Sequence, residues 1–587
     1  MAINNPYVPG DPFSYDLKWI VRKIKEHQII LDGLDERIQN AIIAALENLD
    51  QLGSKYFENA ADLISSDLKD KSIAYIEGFY APADGGANLY YVTTDYNDII
   101  GADFYLTLDG PNRWALPIIV TPYVTPEMFG AKADGSTNDH DAFATALKFG
   151  TVSLMPGKIY EVDYQEDLIV SNPLHLYGNG STIQGFTLKA DGVDGITIED
   201  LNITEANKSL NFDNCSNVFV KDCTFTGQST FASPRFVILR NCEHATVEGC
   251  LVTNTQYGIF MQVYQLGRSK DVTVSKCRFV NTQKYSYPAG VAIYEADQVR
   301  VSDCYFYNIQ HEVSPFADGY GVYSGDYEYN DIGSVTVENC QIDNCGRGIR
   351  MHHSEKMIIS NCTVTNSIQQ AIIIDAAVSL GGDPMKGAVI SNNCLTSYID
   401  ISGACDNALV TGNTITGTYG VFVGSTGTPP VSPKNPSIIG NHILDTSRGG
   451  IVIDIAEDPV VLSNDITNFN TSAYSSSDYR SAGIGFNTQT TNPTAIGNSI
   501  RKPAASTFAI NFVNTSTKRV YKANSFDMET NSILGGYNGA PTQGKWARGE
   551  SVDYVNPATP NYIGAVCTVS GDFAGTPPTF KQYGALV

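Results

Sequence analysis

The sequence is poor in charge, and poorest in positive charge. Of 587 residues only 17% are charged, 38 basic against 62 acidic, for a formal net charge of −24. Sequence-independent binding to a phosphate backbone needs a basic face, so nucleic acid is not an expected partner. No Cys-x-x-Cys pair occurs among the twelve cysteines, which argues against a thiolate metal site. We therefore expect reduced cysteines, no bound metal and no cofactor. No apolar run approaches the roughly 18 residues of a membrane span, so membrane insertion is not expected. The N-terminus, Met1 to Tyr7, has neither the basic nor the apolar region of a secretory signal, so synthesis in a cytoplasm is the expectation. What the chain has instead is glycine (52 residues), many Asn, Thr and Val, and 42% apolar residues. That composition fits an all-β chain rich in tight turns. Length alone suggests roughly four domains, but a repeat architecture lengthens without needing a second core.

Residues 14 to about 52 carry a heptad. Leu17, Ile24, Leu31, Ile38, Ala45 and Leu52 form one column. Ile20, His27, Leu34, Ala41 and Asn48 form a second, imperfect one. The pattern predicts a long helix in a parallel, three-stranded coiled coil. Residues 1–54 are thus read as an N-terminal arm and coiled-coil helix. Residues 55–125 read as a small β-rich module, with the turn-rich segment Gly78 to Val92 running into an alternating strand.

A repeat then dominates the chain. Alternating runs end in cysteine at Val218–Cys223, Ala245–Cys250, Val272–Cys277, Val299–Cys304, Val335–Cys340 and Met357–Cys362. The same slot changes to asparagine at Asn393, Asn413, Asn441, Asn464, Asn498 and Asn524. Spacings of 20 to 36 residues with short strands predict a parallel β-helix, each coil adding about 4.8 Å. Stacked cysteines and asparagines then form ladders, a structural role. The β-helix is assigned to residues 126–530, and residues 531–587 to a small C-terminal β module that caps it or supports trimerisation.

One segment makes a family likeness specific. Phe129-Gly-Ala-Lys-Ala-Asp-Gly-Ser-Thr-Asn-Asp139, followed by an apolar stretch from Ala142 to Phe149, resembles the opening of the pectate-lyase-like β-helix domain. That domain is common in bacteriophage tailspikes and tail appendages. The Gly78–Val92 segment is similar to a module preceding it in phage proteins with Gram-positive hosts, and Pro541–Val587 to a module following phage β-helices. The resemblance implies a homotrimeric virion protein, attached to tail or neck proteins through its N-terminal region. It implies binding, and often cleavage, of a bacterial surface polysaccharide at the host surface. It carries over no catalytic residues.

Those must come from the second strand of each coil. Gly258–Gln262, Gly290–Glu295, Gly321–Asp326, Gly348–His353, Ala371–Asp375 and Tyr398–Ser402 align in register. Period-2 alternation puts Phe260, Ala292, Tyr323, Arg350, Ile373 and Asp400 in one outward column. Gln262, Tyr294, Gly325, His352, Asp375 and Ser402 form the next. A third holds Glu295, Asp326 and His353. The alignment predicts His352 beside Asp375, Glu295 beside Asp326, and Asp326 beside His353. Long insertions flank the same coils, with Asp318, Tyr320, Tyr327, Glu328, Tyr329 and Asp331 between His311 and Gly333. Insertions on a solenoid leave as loops that wall a binding surface, and tyrosine suits a sugar face.

The candidate catalytic residues are therefore Glu295, Asp326, Asp375, His352 and Arg350. The candidate substrate contacts are Tyr294, Tyr323, Tyr327, Glu328, Tyr329, His353 and Asp400. Glycoside hydrolysis, which needs two carboxyl groups, is the first expectation, with Glu295, Asp326 and Asp375 as the source. A polysaccharide lyase built on Arg350, His352 and Tyr323, a teichoic-acid phosphodiesterase, and a receptor-binding fibre without turnover are the alternatives. Arg347 and Arg350 are the local offset to the chain's negative charge. Asp454, Glu457 and Asp458 form an acidic cluster that is read first as a solvated edge and second as a cation site.

Overall fold

The computed structural model describes residues 55–585 except 163–165, 207, 229–232, 263–266, 283–286, 312–318, 326–331, 353, 377–384, 425–430, 473–478, 488, 502–508, 513–519, 523, 528–544, 547–550, 554–561 and 573–576. The heptad region lies outside the described residues. Among these, no helix is long and apolar enough to cross a membrane. The chain divides into two compact units, one reaching Gly185 and including 198–202, the other comprising 186–197 and everything from Ile203 onward.

The first unit contains a five-stranded sheet. Its strands run in the order Lys55–Phe57, Ile73–Ile76, Asn88–Thr93, Trp114–Ile118 and Leu106–Thr107. Leu63, Ile76, Tyr90, Val92 and Ala115 form its core. The turn-rich segment owes its shape to Asp84. Its carboxylate accepts the backbone N–H groups of Phe79, Tyr80, Ala81 and Gly86 at 2.7–3.1 Å. The opening motif folds by the same device. Asp139 accepts from Lys132 and Ala133 N–H (2.8 and 3.1 Å), and Asp134 accepts from Ser136 and Thr137 (2.9 and 2.7 Å). Phe129 stacks on Phe149, ring centroids 5.1 Å apart, across the short helix His140–Leu147. The motif is thus a set of aspartate-held turns around an aromatic anchor.

The second unit is a parallel β-helix. Each coil contributes a first strand such as Glu243–Glu248, a short second strand such as Leu251–Thr253, and a third such as Tyr257–Met261. Like positions pair from coil to coil. Val218, Ala245, Val272, Val299, Val335 and Met357 form one inward row. Leu210, Val237, Ile259, Val291, Val322 and Ile349 form another, and all of these are buried. The repeat therefore reads as predicted: β-branched and apolar residues fill the inside at every second position.

The ladder holds at the corner between first and second strands. The thiols of Cys250, Cys277, Cys304, Cys340 and Cys362 each donate to a carbonyl of the preceding coil at 3.5–3.8 Å, and all are free. At Asn393 the amide takes over. Asn393 Nδ2 donates to Asn413 Oδ1 (2.9 Å), and the same bond recurs from Asn413 to Asn441, Asn441 to Asn464, Asn464 to Asn498, and Asn498 to Asn524. Among the described residues, the one before each ladder position turns left-handed, from Asp222 (φ 51°) through Asn361 (φ 55°) to Gly412 (φ 66°). Asn, Asp and Gly tolerate that conformation best, hence their recurrence there. At the C-terminal end, Ser551–Asp553, Tyr562–Val569 and Thr579–Ala585 form a three-stranded antiparallel sheet.

Candidate functional site

The strands read from the sequence as the second of each coil are the third, and they carry the outward columns in the register the sequence implies. Phe260, Ala292, Tyr323, Arg350, Ile373 and Asp400 pair in one row. His352, Asp375 and Ser402 pair in the next. Their inward neighbours Ile349, Met351, Ile372, Ile374, Ile399 and Ile401 are fully buried, which holds each strand rigidly against the core.

Asp375 is the hub. Its Oδ1 lies 2.8 Å from His352 Nδ1, and its Oδ2 accepts from Arg350 Nη2 at 2.7 Å. Burial works against its charge, but the His352 hydrogen bond and the Arg350 cation outweigh it and bring the carboxyl down to about 2. Asp375 is therefore an anion at any neutral or mildly acidic pH. Arg350 also donates to the Tyr320 hydroxyl (3.2 Å) and sits 5.9 Å from the Tyr323 ring centre.

Asp400, one coil on, has the opposite character. Ser402 Oγ donates to its Oδ1 at 2.5 Å and Gln370 Nε2 to its Oδ2 at 3.3 Å. Burial is the largest influence and raises the carboxyl to about 6, helped by the Asp375 charge and opposed by those hydrogen bonds and by Arg347. Gln370 connects it to the arginines, since its Oε1 accepts from Arg347 Nε at 3.2 Å. Arg347 Nη1 in turn donates to the Tyr320 hydroxyl at 2.9 Å.

Aromatic side chains flank this polar centre on the same face. On one side Tyr257 stacks on Phe260 (4.7 Å), and Tyr294 meets Phe260 and Tyr323 edge-on (5.3 and 5.7 Å). On the other, Tyr398 meets Tyr419 edge-on (5.5 Å), and Arg448 donates to the Tyr419 hydroxyl (2.7 Å).

Of the predicted site residues, the structure brings together Arg350, His352, Asp375 and Asp400, with Tyr294 and Tyr323 half-buried beside them. Glu295 is half-buried in a bend after the strand Ala289–Ile293. Asp326, Tyr327, Glu328, Tyr329 and His353, with Asp318 and Asp331, lie outside the described residues, and so do the two neighbour pairs predicted through Asp326. One placement is corrected. Tyr320 was assigned to an inserted loop; it lies on the strand Tyr320–Ser324 and is fully buried, its hydroxyl shared by two arginines. The acidic cluster is taken up locally. Asp454 accepts from Tyr479 and Asn487, Glu457 lies 3.9 Å from Lys434, and Asp458 accepts from Asn492. No group of three metal-ligating side chains occurs among the described residues. Sequence reasoning placed Asp400 in the right column but missed its raised pKa and the Gln370 bridge, whose signal is a glutamine one residue before the strand's alternation begins.

Residues 174–332, 209–395 and 287–433 match the family described as a right handed beta helix region. The segment from 174 to 433 is a right-handed β-helix. No curated protein matches the chain. Among solved structures, this β-helix protein is similar to the pre-mature gene product 12 of bacteriophage phi29, at 13% identity over 70% of this chain and 56% of that one, with a TM-score of 0.46. It is similar to the catalytic unit of a thermostable GH87 alpha-1,3-glucanase from Streptomyces thermodiastaticus, at 14% identity over 73% and 74%, TM-score 0.40. It is also similar to the tailspike protein of E. coli bacteriophage HK620 in complex with pentasaccharide, at 10% identity over 76% and 89%, TM-score 0.38. These likenesses concern the fold and assign no residue a role in the β-helix.

Proposed function

We propose that the protein is a phage tail appendage that binds a bacterial surface polysaccharide and cleaves it by glycoside hydrolysis. The observation that carries this reading is the pairing of Asp375 and Asp400, two carboxyl groups on one face whose surroundings drive their proton affinities apart, to about 2 and about 6. Such a split assigns one group as acid and the other as standing anion. The two residues are diagonal neighbours on adjacent strands, so their backbones stand about 8 Å apart. An inverting mechanism would have the carboxyl groups themselves roughly 6.5–9.5 Å apart, leaving room for a water.

In this reading Asp400 donates its proton to the leaving glycosidic oxygen. Asp375 orients a water on the opposite side of the sugar; the water oxygen bonds to the anomeric carbon, and its proton passes through Asp375 to solvent. Arg350 and His352 hold Asp375 in place. The lyase alternative would need those two to meet substrate directly. The His352 side chain is only 3% exposed, which favours a positioning role for it. The N-terminal region would attach the β-helix to the virion as a homotrimer, as the family resemblance implies.

The test is incubation of the purified full chain with isolated host surface polysaccharide, following polymer length and new reducing ends. Shortening without ultraviolet-absorbing unsaturated ends is expected. No shortening of capsule or wall polymers overturns the enzyme reading and leaves a binding protein.

A further inference from the structure

A groove of 460 Å³ opens at the turns that lead into the outward strands. Four successive coils line it, through Ser367 and Gln369, Thr396 to Tyr398, Thr418 and Ser447. Its length is set by the coil repeat, three steps of about 4.8 Å or some 14 Å. No lining residue carries a charge; Thr396, Tyr398, Thr418 and Ser447 supply hydroxyls, while that of Ser367 is screened.

The groove is fixed by the backbone. Gln369 N–H donates to Gly346 O (3.0 Å), Thr396 N–H to Val364 O (3.0 Å) and Ser447 N–H to Gly417 O (2.8 Å). Ser397 Oγ donates to the Gln369 carbonyl. Gly417 sits at φ 137°, and a Cβ there would meet Ser397 Cα at 2.9 Å, so only glycine lets these two coils close up. The Ser367 hydroxyl is screened from water and has no hydrogen-bond partner among the described residues. Tyr398 precedes Asp400 by two residues and so shares its outward side of the strand.

Each chemical feature points to the same ligand. Hydroxyl and amide groups both donate and accept, matching sugar hydroxyls, which do the same. The Tyr398 ring offers an apolar face with a polar tip, suited to the face of a pyranose. An acidic sugar or phosphate would lose hydration here and find no cation in the lining.

We propose that this groove binds an uncharged stretch of the glycan, hexose or N-acetylhexosamine units without acid groups, laid along the coil stack beside Asp400. The proposal rests on the polysaccharide reading above and narrows its substrate class.

The test measures affinity of the full chain, with Asp400→Asn to prevent cleavage, for isolated host polysaccharide before and after chemical reduction of its carboxyl groups and removal of phosphate. Affinity retained after both treatments is expected. Adding Thr418→Trp, which fills the groove, should weaken binding about tenfold for either polymer. The pair Thr418→Val with Ser447→Ala, which removes hydroxyls without adding bulk, should weaken it about threefold. Affinity lost when the acid groups are removed overturns the proposal, as does wild-type binding by both groove variants. Sedimentation of the Thr418→Trp chain is the companion measurement: disrupted assembly would make the groove a subunit contact and also overturn it. Continued cleavage by the Asp400→Asn chain would sink the acid assignment alone, because the groove is read from binding.

Discussion

Asp375 and Asp400 stand on adjacent coils of one sheet face, the first held as an anion by His352 and Arg350, the second kept protonated to about pH 6 by burial. The same fold gives two identical side chains opposite properties. The difference lies in which neighbours each meets: a guanidinium and an imidazole in one case, a hydroxyl and an amide in the other.

The first prediction concerns the acid. If Asp400 donates the proton, cleavage falls as pH rises through about 6, and Asp400→Asn lowers kcat by about 10²–10⁴. The pH profile of kcat/KM on isolated polysaccharide checks the first, and initial rates the second. Activity that keeps rising from pH 6 to 9 would remove Asp400 from this role.

The same residue links activity to stability. Its folded value, about 6, exceeds its ordinary value of 3.8, so the folded state holds the proton more tightly. That contribution is complete below about pH 3.8 and is lost as pH rises to about 6, beyond which the fold carries a confined carboxylate. Asp400→Asn is therefore expected to raise stability at pH 8 by about 1–3 kcal/mol and to change little at pH 3.5. Thermal unfolding of both chains at the two pH values is the check. An inactive but more heat-resistant variant is the signature of an acid held under strain for chemistry.

Asp375 has the opposite sign. Its folded value is depressed to about 2, so its contribution is present above about pH 3.8 and disappears as pH falls towards 2. Asp375→Ala leaves Arg350 and His352 without their shared anion, a loss of roughly 3–5 kcal/mol. A lower melting temperature at pH 7, with the gap to wild type closing as the pH is lowered, is the expected result.

How much of this was legible follows from what periodicity encodes. The coil repeat, the inward rows and the outward columns were readable because alternation has a fixed period of two and coil neighbours repeat the same slot. Arg350 beside Tyr323 and His352 beside Asp375 followed from counting alone. Counting cannot say how deeply a side chain is covered. Asp400 looked like a surface contact, yet its acidity depends on burial. Tyr320 looked like a loop residue because it follows an insertion, yet it begins a strand whose register with Arg347 places its hydroxyl between two arginines. The Gln370 bridge was invisible for the same reason, since it depends on side-chain reach across coils.

The ladder gives the last prediction. Asn441 sits mid-ladder. Its Nδ2 donates to Val410 O (3.0 Å) and Asn464 Oδ1 (2.9 Å), while its Oδ1 accepts from the Asn413 backbone N–H (3.0 Å) and Asn413 Nδ2 (2.9 Å). Asn441→Ala deletes these bonds and leaves Asn413 N–H buried without its acceptor, which costs the desolvation of that group as well as the bonds, about 3 kcal/mol or more. Cys277 occupies the equivalent slot earlier in the stack, but its single thiol proton is shared weakly between Val247 O at 3.5 Å and Ser275 O at 3.3 Å. Cys277→Ala removes little more than a small buried side chain, so about 1–2 kcal/mol is expected. Denaturant unfolding of the two variants should therefore rank Asn441→Ala well below Cys277→Ala. Equal losses would mean that the ladder acts by filling space, and that the switch from cysteine to asparagine along the stack has no energetic consequence.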